Sequence, residues 1–357
     1  MNMKTPKTEG IKYMGSKLKM LPYIMEAING LDIHTVLDAF SGTTRVSQMF
    51  SQIGFDTTSN DTAIWSNVFG NCYLVANKDN AFYQDYIDEL NSLKGKYGWF
   101  SEKYGGEDSC GKKPFRLHNT MKLDSIRERI DTYNLDWSDK CVLLTSLIMA
   151  MDSVDNTLGH YSSYLKGWCS RSLDEMHMKL PKKFTITTKN VVTQVDAIDS
   201  VCDRYDLIYL DPPYGSNNEK MPSCRVRYNA YYHIWKSVIL NDKPEVFGKV
   251  NRRLDTRDTI SASVFEEFKV GENGRHIAVN AFDELISKAN ARYILISYGS
   301  GGITTKNEIN DIIHSYGKLI MVKEIDYKKN VMSNMRWTNE WINSDGVYNE
   351  YLFLIEK

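Results

Sequence analysis

The stretch YDLIYLDPPY, residues 205–214, constrains this chain more than any other. Six largely apolar residues rich in β-formers read as a buried strand. Pro212 and Pro213 then forbid its continuation as helix or ladder, because each proline lacks a donor and restricts the residue before it. Asp211 and Tyr214 are therefore presented by a stiff turn at a strand end, with little conformational entropy left to lose on binding. An ordinary proline-containing turn is the plainer reading of four residues taken alone. Its position after LIYL, in line with three further strand-end acids, favours a site.

Those acids emerge from the pattern on either side. The segment 18–29, LKMLPYIMEAIN, predicts an amphipathic helix with Leu18, Leu21, Met25 and Ile28 on one face. HTVLDAF (34–40) predicts a strand, RVSQMFSQI a helix through Val46, Met49, Phe50 and Ile53 ended by Gly54, and FDTTSN a second strand running into Asp61. Between 80 and 190 the alternation lapses into short helices and polar loops. Strands return at 190–197 and 205–210. After an irregular stretch at 215–275 come a helix, a strand, a helix and two last strands. The expected fold is α/β, an open and largely parallel sheet, with a catalytic domain over 1–80 and 190–357 interrupted by insertions at 81–189 and 215–275. Ligands of such sheets bind beyond the carboxyl ends of the strands. Asp38–Thr44, Asp61, Asp196 and Asp211–Tyr214 all fall there.

Each has a chemistry to offer. DAFSG (38–42) is a small-residue turn that brings backbone N–H groups to a helix start, although Asp38 could simply cap that helix. Asp61 follows Asp38 by 23 residues, the spacing of a ribose-binding acid, and it too could be a cap. Asp196 reads either as a turn acid or as a ligand contact. In DPPY, Asp211 and the Pro212 carbonyl can accept the two hydrogens of an exocyclic amine while Tyr214 stacks on the base that bears it. No G-x-G-x-x-G, P-loop, Ser-His-Asp or metal-ligand pattern is present in the sequence. His233 and Trp235 are expected on a helix that packs its aromatics against the sheet rather than in chemistry.

Assembled, these segments resemble the DNA adenine-N6 methyltransferases of the Dam-like (D12) class. IKYMGSKLKMLPYI looks like that family's first cofactor motif, VLDAFSGTTRVS its D-x-F-x-G motif, and DPPY its catalytic motif. YILISYGSGG resembles a late strand whose Ser297 and Tyr298 lie near the target pocket. The resemblance implies a Rossmann-like sheet that binds S-adenosylmethionine through Tyr13, Lys17, Asp38, Phe40, Ser41 and Gly42, with Asp61 on the ribose and Asp196 near the adenine. It implies Asp211, Pro212, Pro213 and Tyr214 as the catalytic turn acting on a flipped-out adenine, with no metal. The inserted helical lobe at 81–189 would recognise the target. Many members carry a second glycine near position 44, where this chain has Thr44.

The overall charge of −1 excludes a wholesale basic DNA binder, so duplex DNA must be held by local patches. Residues 110–130 hold six Lys or Arg against two acids, and 220–257 nine against three. Arg225, Arg227, Arg252 and Arg253 are the expected DNA contacts. A cognate restriction endonuclease acting on the same site is the implied further partner. Six scattered cysteines without a C-x-x-C pair, no apolar leader and no long apolar run predict a soluble, cytoplasmic monomer that does not enter a membrane. Other readings stay open at this point: an RNA base-amine methyltransferase, and a DNA- or nucleotide-binding module without catalysis. Protein glutamine methyltransferases fit less well, since they carry Asn where this chain has Asp211.

Overall fold

The computed structural model describes residues 4–109, 111–215, 227–326 and 349–357. Seven strands form one sheet: β1 (Thr35–Asp38), β2 (Asp56–Asn60), β3 (Val191–Thr193), β4 (Tyr205–Leu210), β5 (Ala291–Gly299), β6 (Lys318–Asp326) and β7 (Asn349–Glu356). Their order is β6-β7-β5-β4-β1-β2-β3. All neighbouring pairs are parallel except those of β7, which runs antiparallel to both β5 and β6. The strand order reverses between β4 and β1, so the crevice at their carboxyl ends is the switch point of the sheet. The expectation of an open, mostly parallel α/β sheet is met.

The central strands are apolar runs because both their faces are covered. On one face Val36, Leu207, Tyr209, Leu295, Leu352 and Leu354 pack against α1 (Leu21–Ile28) and α2 (Arg45–Gln52). On the other, Leu37, Ile208, Leu210, Ile294, Ile296 and Phe353 meet the later helices 277–288 and 306–316. Asp206 sets the register of the centre. Its Oδ2 accepts from the His34 and Thr35 backbone N–H groups and the Thr35 hydroxyl, tying the start of β1 to β4.

Several boundaries shift for local reasons. Leu18 leaves the expected helical face, because Lys17–Lys19 form a separate 3₁₀ turn and α1 starts only at Leu21. Ile53 is the residue after α2 and packs half-buried on the same core as Val46, Met49 and Phe50, and Gly54, at φ 100°, ends the turn. The strand expected over 190–197 contracts to Val191–Thr193. The side-chain amide of Asn60 takes over there, accepting from the Thr193 hydroxyl and the Val195 N–H and donating to the Val195 carbonyl.

The stretch 80–154 is helical: α3 (Ile64–Gly70) is followed by α4 (Asn80–Ser92), the short α5 (Trp99–Tyr104), α6 (Leu117–Thr132) and α7 (Trp137–Val154). These helices share a third apolar core with α3 and with residues 232–239, from the other side of the DPPY turn. Arg127 of α6 joins the two segments directly, its guanidinium donating to the carbonyls of Val238 and Ile239. Among the described residues no helix is long and apolar enough to cross a membrane.

Candidate active site

The loop after β1 turns on two left-handed residues. Gly42 has φ 51°, and a Cβ there would lie 3.1 Å from the Tyr13 ring, so glycine meets both a backbone and a steric demand. Thr44, also left-handed at φ 61°, is buried and β-branched, a combination that stores strain. It occupies the place where the resembled family often has glycine. Asp61 braces the loop from β2: one oxygen accepts from the Gly42 N–H and the other from Ala63, each at 2.9 Å. Burial raises its pKa, and these two bonds work against the rise. Ser41 is held by Asn60 and Ser66, while Phe40 meets Phe265 edge to face.

Asp38 lies under this loop, 1% exposed. Its Oδ2 accepts from the Ser47 hydroxyl at 2.6 Å, and its Oδ1 is buried with no hydrogen-bond partner among the described residues. Burial pushes its pKa up to about 7, with Ser47 opposing and the charges of Asp211 and Asp61 adding to the rise. A buried carboxylate oxygen without a donor is a place for a ligand's donor. Asp196 sits at the end of β3, exposed, where its side chain caps the short helix 197–200 through the Ile198 N–H.

The end of β4 is organised by charge. Asp211 Oδ1 receives the Lys17 ammonium at 2.9 Å and the Tyr214 hydroxyl at 2.6 Å; its Oδ2 has no partner among the described residues. Burial lifts the Asp211 carboxyl to about 6 although Lys17 pulls the other way. Lys17 is itself buried and lies 3.3 Å from Glu350. Burial lowers its pKa, but the two carboxylates outweigh that and hold it well above the usual lysine range. The turn is clamped from behind, where the Tyr214 carbonyl accepts from the Ile303 N–H at 2.8 Å and the Tyr298 hydroxyl at 3.2 Å. The Tyr214 and Tyr298 rings lie 4.5 Å apart.

The structure thus brings Tyr13, Asp38, Ser41, Gly42, Asp61, Lys17 and Asp211–Tyr214 to one crevice. Lys17, expected beside a cofactor, is instead paired with the acid of the DPPY turn. Glu350 went unnoticed in the sequence because nothing local marks it; NEYLFLIEK reads as a plain last strand. Tyr228 was missed too. Its ring stacks 5.4 Å from that of Tyr13, and Tyr232 continues the stack at 4.7 Å.

The arginines fare unevenly. Arg253 is a correction: its side chain is 3% exposed and spent on Asp242 and Asp255, so it braces its own segment and does not present itself to phosphate. Arg252 lies over the Phe247 ring and donates to Thr256, and Arg227 lies 3.6 Å from Glu266. Arg225 lies outside the described residues. His233 packs rather than acts, but its helix sits in the core of the helical segment and not on the sheet: His233 is fully buried against the Tyr161 carbonyl, with its pKa driven down to about 3 by burial.

A family model for D12 class N6 adenine-specific DNA methyltransferases matches residues 13–294. The chain is 26% identical over 368 residues to the type II methyltransferase M.FokI of Planomicrobium okeanokoites, an alignment covering 97% of this chain and 53% of that protein. Modification methylase StsI of Streptococcus sanguinis is 26% identical over 370 residues, covering 97% and 52%. Type II methyltransferase M.NlaIII of Neisseria lactamica is 25% identical over 363 residues, covering 97% and 99%. The chain spans about half the length of the first two relatives and nearly all of the third.

Proposed function

Since this chain belongs to the D12 class of N6 adenine-specific DNA methyltransferases, we propose that it methylates N6 of a flipped-out adenine at a defined site in duplex DNA. The observation that carries the reading is the Asp211 carboxylate, anchored through Oδ1 by Lys17 and Tyr214, with no partner for Oδ2 among the described residues. An exocyclic amine presents two hydrogens. Asp211 and the Pro212 carbonyl accept them, orienting the nitrogen lone pair, while the Tyr214 ring carries the base. Pro212 and Pro213 keep that geometry stiff. The proton that N6 sheds goes to Asp211, ionised above about pH 6, or to water.

The methyl donor is S-adenosylmethionine, which supplies an electrophilic methyl group when bound. The loop after β1 fits it: the unmatched Asp38 oxygen suits an ammonium, and Tyr13, Phe40, Ser41 and the Gly42 turn line the approach. Asp61 keeps acceptor capacity for ribose hydroxyls beyond its two backbone bonds, and Asp196, which caps its own short helix, is assigned to the adenine by the family resemblance alone. Lys17 moves, in this reading, from the cofactor to the DPPY acid.

Target recognition falls to the helical segment 81–189, with DNA contact shared by 215–275 through Arg225, Arg227 and Arg252. The common apolar core of the two segments supports their acting as one lobe. The relatives named type II methyltransferases support a restriction-modification role alongside an endonuclease of the same specificity. One chain suffices for one methyl transfer.

The test is transfer of labelled methyl from S-adenosylmethionine to unmethylated genomic DNA, followed by nucleoside analysis and mapping. N6-methyladenine at one short motif is expected. Label confined to RNA or protein would overturn the reading.

A further inference from the structure

Glu350 stands second in β7, opposite Gly299 of β5, and is 3% exposed. A carboxylate so buried persists only if its charge and lone pairs are met. Its Oε1 lies against three donor groups, the Tyr214 hydroxyl at 2.5 Å, the Ser297 hydroxyl at 2.9 Å and the Lys17 ammonium at 3.3 Å, and the one proton of Tyr214 is shared between this oxygen and Asp211 Oδ1 rather than given to both at once. Two of these three also hold Asp211 Oδ1. Stability alone does not call for this arrangement. Lys17 and Asp211 already make a neutral pair, and a second carboxylate leaves the buried cluster net negative, which costs desolvation energy without a counter-charge. A neutral acceptor such as Gln would hold Tyr214 and Ser297 more cheaply.

We propose that Glu350 is a positioning residue for methyl transfer, holding Tyr214 and drawing Lys17 partly away from Asp211. The inference rests on the methyltransferase reading above. With the hydroxyl of Tyr214 fixed between two carboxylates, its ring is a set platform for the base. With Lys17 divided between Asp211 and Glu350, Asp211 keeps its anchored oxygen without losing the accepting strength of the other. Glu350 touches neither base nor methyl donor; it acts through Tyr214, Lys17 and Asp211.

The test uses the full chain carrying Glu350→Gln or Glu350→Ala, assayed at the mapped site beside wild type. Expected is a fall in kcat of about 10- to 100-fold, with KM for DNA and calorimetric binding of S-adenosylmethionine little changed. A duplex with 2-aminopurine in place of the target adenine reports the platform, and its emission should change as Tyr214 loosens. In Glu350→Gln the acid limb of kcat should move to lower pH, because a negative charge beside Asp211 is gone and Lys17 is left to it alone. The groups that face Asp211 are Lys17, Glu350 and Tyr214, with Tyr209, Tyr228 and Asp38 close enough to act through charge. An active wild type whose two variants keep its kcat, emission and acid limb overturns the inference. So do variants whose losses only follow their folded fraction by circular dichroism. A wild type that methylates no DNA is a different result: it removes the methyltransferase reading, and this inference with it.

Discussion

The two halves of the crevice hold a buried carboxylate each and treat it in opposite ways. Around β1 and β2, Asp38 has no cation beside it among the described residues: Ser47 donates to it, the carboxylates of Asp61 and Asp211 lie close enough to raise it, and the loop above is braced by Asn60, Asp61 and Ser66. Its carboxyl rises to about 7. Around β4 and β7, Asp211 is met by Lys17 and by a hydroxyl shared with Glu350, groups brought from residues 17 and 350. In the proposed reading, the first half receives a positive charge from outside. The second carries its own.

The sharpest way to break this contrast is to remove the charges one at a time. Asp211→Ala should lower kcat by about 10³-fold or more, since it deletes both the amine's acceptor and the partner of Lys17. Binding of S-adenosylmethionine, measured by calorimetry, should survive that change. Asp38→Asn should do the reverse, weakening the methyl donor by about 10- to 100-fold while leaving kcat at saturation closer to wild type. Should both variants fail in the same parameter, the division of labour between the halves is wrong.

A pH series sharpens it further. An ammonium binds only ionised Asp38, whose raised pKa means that the charged form is lost as pH falls through about 7. Affinity for S-adenosylmethionine should therefore peak between about pH 7 and 8, weakening by up to about tenfold per pH unit below that range and falling again above about pH 8 as the donor's own amine loses its proton. The rate at saturating donor should hold until pH falls through about 6, where Asp211 takes up its proton. Two separate acid limbs are expected, and one common acid limb would erase the distinction.

The smallest effect concerns the strained loop. Thr44→Gly should relieve a left-handed β-branched residue, worth roughly 1–3 kcal/mol. The loss of the Gln48 amide bond to the Thr44 hydroxyl and the added freedom of the unfolded chain oppose this. A net gain near 1 kcal/mol in denaturant unfolding is expected, and a clear loss would show that the loop is not strained.

What could be read from the sequence was what is local. VLDAFSG and YLDPPY announce themselves because a strand end, its turn and its acid lie within ten residues, and periodicity found α2 and the late helices. Charges were harder. NRRLDTR looked like a phosphate clamp, yet Asp242 and Asp255 lie close enough in sequence to have signalled that Arg253 was already matched. Lys17 was found, but its pairing with Asp211 and Glu350 was not, and Glu350 was not found at all. Their meeting depends on β7 lying beside β5, a long-range pairing that no window of the sequence contains.

That pairing also imposes an order in time. β7 slots between β5 and β6, both of which precede it, and it brings Glu350 to groups made long before. At ribosomal speeds of about 5–20 residues per second, Asp211 waits on the order of ten seconds for residue 350 to be made. Until then Lys17, Asp211 and Tyr214 lack the second carboxylate, so a nascent chain of this protein holds its parts without the finished cluster.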